Sequence, residues 1–368
     1  MIYQTLFSPL IINRLELENR VIMAPTRENL ASEDSFVTTE MVDFYLRRAR
    51  GGVSMIVLGA VGVNPRRSPF MPLINDDKFI PNLKGLVDRI HSETGVKTCA
   101  QLSDWLKIAR GWKQDVNDVT LEEIEQRIDC FEKGAIRAKE AGFDAIELHA
   151  AHGYALASFL SLRNTREDEY GGPIEKRMKI VIEICQRVRE ALGKDYPLGI
   201  RINGDEFIIK GNTLQHSRII ARKLAETGID YISISAGGKF EDSPGTNKHG
   251  VPHPFGGYSA QRSMPPAYMP EAVNVYLAAD IRKTLRQAGY STPVITAGRI
   301  PHPELAEEIL REGQADIIAL SRPLLRDPEW PLKAKESRAK EIDRCSYCST
   351  CVDRIFNDKP ALCQYLEA

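Results

Sequence analysis

The sequence predicts a (β/α)8 barrel of the TIM type, and three observations carry that prediction. Eight apolar, β-branched runs recur along the 368 residues, each followed by a stretch of helical period. The runs are nearly continuous in apolar residues, as suits parallel strands buried on both faces. Three of them follow the same phrase: Gly142-Phe143-Asp144, Gly228-Ile229-Asp230 and Gly313-Gln314-Ala315-Asp316. Such a phrase is expected where one αβ unit is used repeatedly. A doubly wound open sheet is the alternative that the same alternation allows.

Taken in order, residues 1–19 precede the first run and are expected to form a hairpin closing the barrel bottom. Strands are expected at 21–25, 55–60, 98–102, 145–149, 198–202, 231–235, 294–297 and 317–320. Amphipathic helices are expected at 122–141, 176–192 and 214–227; the last stops at Gly228, a residue suited to a helix C-cap. Two irregular segments, 107–120 and 237–270, interrupt the pattern. The second is rich in Gly, Pro and His and follows the sixth strand, so on a barrel it lies over the C-terminal mouth, where substrate is selected. The chain thus divides into a barrel over 1–330 and a cysteine-bearing extension over 331–368.

Charged residues make up 27% of the chain and the net charge is −1. No overall field draws the protein to nucleic acid or to an anionic membrane. No apolar run approaches the roughly 20 residues needed to span a bilayer. Residues 1–17 lack a basic patch followed by an apolar stretch, so a cytoplasmic location is expected.

Of seven cysteines, Cys99, Cys130 and Cys185 are scattered singly, as buried small hydrophobes are. The other four crowd the C-terminus. Cys345, Cys348 and Cys351 follow C-x2-C-x2-C, and Cys363 comes after eleven intervening residues. Three thiolates on one tight loop, closed by a distant fourth, suit a 4Fe–4S cluster. Zinc also takes four cysteines, though usually from two separated C-x2-C knuckles. Disulfides conflict with a cytoplasmic location.

Several stretches together resemble the old yellow enzyme superfamily, the NADH:flavin oxidoreductases. They are Phe7-Ser8-Pro9-Leu10, Asn19-Arg20-Val21-Ile22-Met23-Ala24-Pro25, Gly142-Phe143-Asp144-Ala145-Ile146-Glu147-Leu148-His149, Ala151-His152-Gly153-Tyr154, Asn164-Thr165-Arg166-Glu167-Asp168-Glu169-Tyr170-Gly171-Gly172 and Ser321-Arg322-Pro323-Leu324-Leu325-Arg326-Asp327-Pro328. The cysteine quartet points to the branch of 2,4-dienoyl-CoA reductase, bile-acid enoyl-CoA reductases and trimethylamine dehydrogenase. Members of that branch usually continue into a second nucleotide-binding domain. Here the sequence stops five residues after Cys363, and that domain is expected to be absent.

The resemblance implies FMN across the barrel mouth. It implies that Ala24, Pro25 and Thr26 line the flavin with their backbone, with Ala60 nearby and Gln101 bonded to the pyrimidine. Arg201 then stands near flavin N1 and O2, where a fixed positive charge stabilises the reduced anion. A surface ion pair is the plainer role for Arg201, but an arginine interrupting an apolar strand argues against it. Gly298-Arg299 and Ser321-Arg322 follow the seventh and eighth strands, where barrels commonly bind phosphate. His149 and His152 match the pair that binds the carbonyl oxygen of an unsaturated substrate, and Tyr154 the position that protonates its α-carbon. A phenol of ordinary pKa, about 10, keeps its proton at neutral pH. The plainer readings of His149 and His152 are a metal pair or satisfied core residues.

This sequence departs from the family pattern in three places. Arg27 stands near flavin N5 where relatives carry Cys, Thr or His; it excludes a cysteinyl–flavin link there and offers a cation to the flavin or to an anionic substrate group. Gln101-Leu102-Ser103-Asp104-Trp105-Leu106-Lys107 replaces the Gln-Leu-x-His-x-Gly-Arg of many relatives. The family histidine after the sixth strand has two candidates, His249 and His253.

The implied reaction is reduction of an activated C=C bond in an α,β-unsaturated acyl-CoA thioester or enone. NAD(P)H supplies electrons directly, or a partner flavoprotein or ferredoxin feeds the cluster. Met264-Pro265-Pro266-Ala267-Tyr268-Met269-Pro270 and Asn274-Val275-Tyr276-Leu277-Ala278 resemble the enoyl-CoA reductase group. Alternatives are the oxidative direction, on an amine or saturated acyl group, and a non-catalytic electron-transfer subunit. A homo-oligomer is compatible with all of these.

Overall fold

In the computed structural model, residues 2–64, 70–105, 115–239 and 257–366 are described. Each of the eight apolar runs forms a strand. A hairpin of β1 (Leu10–Ile12) and β2 (Leu15–Leu17) comes first, followed by β3 (Val21–Met23), β4 (Met55–Gly62), β5 (Lys97–Ser103), β6 (Ala145–Ala150), β7 (Leu198–Asn203), β8 (Tyr231–Ser235), β9 (Val294–Ala297) and β10 (Ile317–Leu320). The last eight pair in parallel in the order β10-β3-β4-β5-β6-β7-β8-β9 and close on themselves, so the doubly wound alternative is not the fold. Helices α1 (Thr39–Arg50), α2 (Ile80–Thr94), α3 (Leu121–Glu140), α4 (Ala155–Leu160), α5 (Ile174–Leu192), α6 (Leu214–Glu226), α7 (Gly257–Ser263), α8 (Val275–Gln287), α9 (Pro303–Arg311), α10 (Arg322–Arg326), α11 (Trp330–Lys335) and α12 (Thr350–Phe356) connect and cover them.

Alternation along the strands makes two cores. Outward residues such as Ile56, Leu58, Ile146, Leu148, Ile200 and Ile232 join the helices in one large cluster. Inward residues Ile22, Met55, Val57, Cys99, Ala145, Tyr231, Ile295 and Ile317 form a second, and Ile12, Leu15 and Leu17 of the hairpin plug it from below. Gly199 has a steric reason to be glycine: a Cβ there would lie 2.0 Å from the Tyr231 ring, which crosses the interior.

The repeated phrase has a physical basis. Gly142, Gly228 and Gly313 take positive φ values of 86°, 79° and 67°, which terminate the preceding helices. The aspartate that follows reaches back to the preceding strand. Asp144 accepts from the Thr98 backbone N–H at 2.7 Å, Asp230 from that of Leu198 at 2.8 Å, and Asp316 from that of Val294 at 2.9 Å. Each also holds a cation or imidazole, namely His91, Arg189, and the pair Arg282 and Arg286. The phrase is a device that ties the bottoms of neighbouring strands together.

Several boundaries differ from expectation, most by one or two residues. β3 stops at Met23, because Ala24 turns its N–H to Leu320 at the barrel seam and Pro25 has no N–H to offer. β4 runs on to Gly62, where it pairs with Leu102 and Ser103. The segment 237–270, expected to be irregular, contains α7. His249 and His253 lie outside the described residues. None of the described helices is long and apolar enough to cross a membrane.

Candidate active site

Near the C-terminal ends of the strands the inward positions turn polar. Gln101 donates from its side-chain amide to Glu147 at 2.7 Å, and Arg201 reaches the hydroxyls of Ser233 at 3.3 Å and Ser235 at 3.4 Å. Burial raises the pKa of Glu147, while the charge of Arg201 opposes the rise. Gln101 and Arg201 line the floor of a cavity of about 1250 Å³, counting its open mouth. Glycine is required in one wall: a Cβ on Gly59 would sit 2.3 Å from Pro25.

Every described residue singled out for flavin or substrate lines this cavity. Ala24, Pro25, Thr26 and Arg27 come from the end of β3, Ala60 from β4, Gln101 from β5, Arg201 from β7, and His149, His152 and Tyr154 from β6 and the turn beyond it. Gly298 and Arg299 follow β9, Ser321 and Arg322 follow β10, and Cys351 enters from α12.

At one end, Arg299 and Arg322 both lie over the ring of Tyr347, with guanidinium carbons 4.6 and 4.7 Å from its centroid. The Tyr347 hydroxyl, Arg299 Nε and one terminal nitrogen of Arg322 are buried without a hydrogen-bond partner. Gly298 has φ +116°, a backbone conformation that suits glycine, and Arg299 stays in the left-handed region at +52°. The Ser321 hydroxyl lies 2.8 Å from that of Thr26. Arg201 Nε and His149 Nδ1 are likewise buried and unpartnered. Donors left unsatisfied around one cavity call for an acceptor-rich occupant, since an unmade buried bond is costly. The donor set therefore fits FMN, with its phosphate and ring carbonyls.

At the other end stand two imidazoles and a phenol. The His149 and His152 rings are 5.1 Å apart, and the His149 and Tyr154 rings 4.9 Å. His152, at φ +62°, puts Nε2 2.6 Å from the Ser235 hydroxyl. Burial pushes the His149 pKa down to about 3, and the charges of Arg201 and Lys239 add to the effect. Burial, His149 and the same two cations hold His152 well below the usual range. Both rings are neutral at physiological pH. Burial lifts Tyr154 to about 12, so its hydroxyl keeps its proton. Trp105 meets the Tyr154 ring edge-on at 5.0 Å.

The sequence reading passed over Lys239, Tyr347 and Gly59, all of which line the cavity. Lys239 lies four residues past the end of β8; a lysine so close behind a barrel strand was the available signal. Tyr347 was hidden between two cysteines.

Cys345, Cys348, Cys351 and Cys363 line a second, smaller cavity that shares Arg322, Leu325 and Cys351 with the first. Burial raises the pKa of Cys345, and that of Cys351 to about 11, while hydrogen bonds centred on Thr350 lower that of Cys348 against burial. Among the described residues, no three His, Cys, Asp or Glu side chains gather closely enough to hold a single metal ion.

A closed parallel barrel with a cation-lined cavity at the C-terminal mouth defines a barrel oxidoreductase built around a flavin. Residues 5–105, 108–242 and 261–341 match the NADH:flavin oxidoreductase / NADH oxidase family, and the chain belongs to it. It is 36% identical to an NADH oxidase of Thermoanaerobacter brockii over 98% of this chain and 56% of that protein. It is 29% identical to a cinnamate reductase of Clostridium sporogenes over 98% of this chain and 57% of the other. An NADPH dehydrogenase of Halalkalibacterium halodurans, 34% identical, is matched over 93% of its length and 89% of this chain. The first of these relatives is roughly twice as long as the part matched. Among solved structures, a 2-naphthoyl-CoA reductase complex superposes with a TM-score of 0.84 at 26% identity, over 98% of this chain and 56% of that one. The description of that family implies a flavin and a nicotinamide donor.

Proposed function

We propose that this chain reduces the activated C=C bond of an α,β-unsaturated carbonyl compound, an acyl-CoA thioester or an enone in the classes implied by the sequence. One observation carries the reading: a neutral imidazole pair and a protonated phenol meet at one cavity wall, with His149 and Tyr154 rings 4.9 Å apart. When bound, FMN supplies hydride to carbon at its N5. Gly298, Arg299, Ser321 and Arg322 would hold its phosphate, Gln101 and Arg201 its pyrimidine, and Ala24, Pro25, Thr26 and Ala60 its ring system. His149 and His152 hold the substrate carbonyl through N–H donors and draw electron density from the β-carbon. Tyr154 delivers a proton to the α-carbon. Arg27 adds a cation beside the reacting atoms.

Cys345, Cys348, Cys351 and Cys363 would bind a 4Fe–4S cluster. Support comes from their spacing and from their shared cavity, which touches the flavin cavity at Cys351 and Arg322. NAD(P)H, or a reduced flavoprotein or ferredoxin partner in the cytoplasm, would supply the electrons, and a cluster held by the four cysteines would offer the partner its point of entry. We take 1–330 as the flavin barrel and 331–368 as the cluster extension. The division is one of role, since Trp330 and Ile342 belong to the same core.

The test is an anaerobic visible spectrum with iron, sulfide and flavin assays, followed by turnover of enone and enoyl-CoA acceptors. About four irons and one FMN per chain are expected. If His149→Ala left C=C reduction intact, the carbonyl-binding role would be wrong.

A further inference from the structure

Inward positions of β5, β6, β7 and β8 meet just beneath the large cavity. The parallel register sets Gln101 against Glu147, Glu147 against Gly199, and Gly199 against Tyr231. Gly199 has no side chain, and the Tyr231 ring takes that space: a Cβ on Gly199 would lie 2.0 Å from it. The phenol thereby reaches across β7 and donates to the Glu147 carboxyl. Glu147 itself is 1% exposed and sits behind the described lining of the cavity.

Glu147 is tied to two residues that do line the cavity. It accepts from the Gln101 side-chain amide at 2.7 Å. A carboxylate only accepts, so it takes the NH2 end of Gln101 and leaves the carbonyl oxygen to face elsewhere. That oxygen would stand 3.3 Å from a Cβ on Gly59, where Gly59 and Ala60 form cavity wall. The other residue is Arg201, on which the Glu147 charge acts against burial. Arg201 reaches the Ser233 and Ser235 hydroxyls with its terminal nitrogens, while its Nε is buried without a partner. Two donors and a guanidinium around one buried carboxyl let it keep its charge. A neutral amide in its place would satisfy the same two donors without bringing a charge into the barrel interior, so packing alone does not account for a glutamate here.

We propose that Glu147 is a positioning residue for the flavin, an assignment that rests on the flavin-site reading above. It turns the Gln101 carbonyl oxygen toward the cavity, to accept the flavin N3–H, and it offsets part of the Arg201 charge. An oxidised isoalloxazine carries one ring N–H, at N3 between two carbonyls, and a wall of donors alone would leave it unmatched. Gln101 supplies the acceptor only while its amide is held one way round; a free amide turns in either end. Arg201 stabilises the reduced anion, and a carboxylate behind the guanidinium weakens that stabilisation without touching the ring. The potential of the site is thereby lower than Arg201 alone would set, which favours passage of electrons onward to an acceptor.

The full chain is loaded with FMN; affinity is read by flavin fluorescence and the midpoint potential by anaerobic dye-coupled reduction. Glu147→Gln keeps an acceptor for the Gln101 amide and removes the charge. Oxidised FMN should then bind within about twofold of wild type, the hydrogen bond being retained. The ratio of reduced to oxidised affinity should rise about tenfold, a midpoint about 30 mV more positive for a two-electron couple. Glu147→Asp keeps the charge but withdraws its oxygens from Gln101, so oxidised FMN should bind about fivefold more weakly, as for one lost hydrogen bond. A merely structural glutamate would lower Tm in both variants and leave the midpoint where it was. An unchanged midpoint in Glu147→Gln, or wild-type affinity in Glu147→Asp, overturns the assignment. If neither variant folds, the nitrogen NMR resonance of N3 in labelled FMN on the wild-type chain decides. A position downfield of that in aprotic solvent supports an N3–H held by an acceptor, and a matching position overturns it. Wild-type protein that binds no FMN sinks the flavin-site reading and this assignment with it, whereas the other failures arise with flavin bound; none of these readouts depends on which acceptor is reduced.

Discussion

Asn29 donates its side-chain amide to the backbone carbonyl of Ile355 at 2.9 Å, fastening the segment that carries Arg27 to the helix that carries Cys351. The same amide reaches the Lys359 carbonyl at 3.2 Å, and its oxygen accepts from Arg27. Asn29→Ala leaves the buried Ile355 carbonyl and the part-buried Lys359 carbonyl without this donor, and a loss of about 1–3 kcal/mol of stability is expected. Denaturant unfolding would measure it. Alkylation of Cys351 and Cys363 in the protein as isolated should also speed up; an unchanged rate would mean that the segment is held by other contacts.

Tyr154→Phe removes a proton donor and keeps the ring against Trp105. A decrease of about 100-fold or more in C=C reduction is expected, with FMN content unchanged. Solvent deuterium incorporated at the α-carbon of the product provides a second measurement, because a loss of stereospecificity there would show that water has replaced the phenol.

The pH dependence follows from the same environment. His149 gains a proton only below about pH 3, His152 is held low as well, and Tyr154 loses its proton only near pH 12. With a ketone acceptor, the reductive step should show no histidine limb near the ordinary pKa of about 6.5. A single-turnover profile that lost activity as pH fell through that value would mean that at least one imidazole titrates and is less buried than the structure has it.

Tyr347→Ala removes the ring over which Arg299 and Arg322 both lie. With the two guanidiniums no longer held together, FMN affinity should fall about tenfold, in line with one or two cation–π contacts. Equilibrium dialysis of flavin measures this directly.

Gly199→Ala tests the interior packing. The added methyl would meet the Tyr231 ring at 2.0 Å, and overpacking of this kind costs about 1–3 kcal/mol or more. A lowered Tm is expected, and Gly199→Ala combined with Tyr231→Phe should not restore it, because the clash is with ring carbons.

The sequence by itself determined the barrel. The eight strands were legible because their outward residues are β-branched and apolar, and the three Gly-x-(x)-Asp phrases because they serve one local purpose at strand bottoms. It also picked out strand-end residues that line the large cavity and the C-x2-C-x2-C cysteines that line the smaller one, since position along a strand decides what a barrel presents at its mouth. Tertiary structure alone decided the rest. Lys239 reaches the two histidines only because Gly238 packs onto the His152 backbone, a contact between the loops after β6 and β8. Tyr347 lies beneath both arginines only because the C-terminal segment folds back against β9 and β10. Neither contact has a period or a local spacing, and both depend on closure of the barrel, which brings strand ends distant in sequence around one cavity.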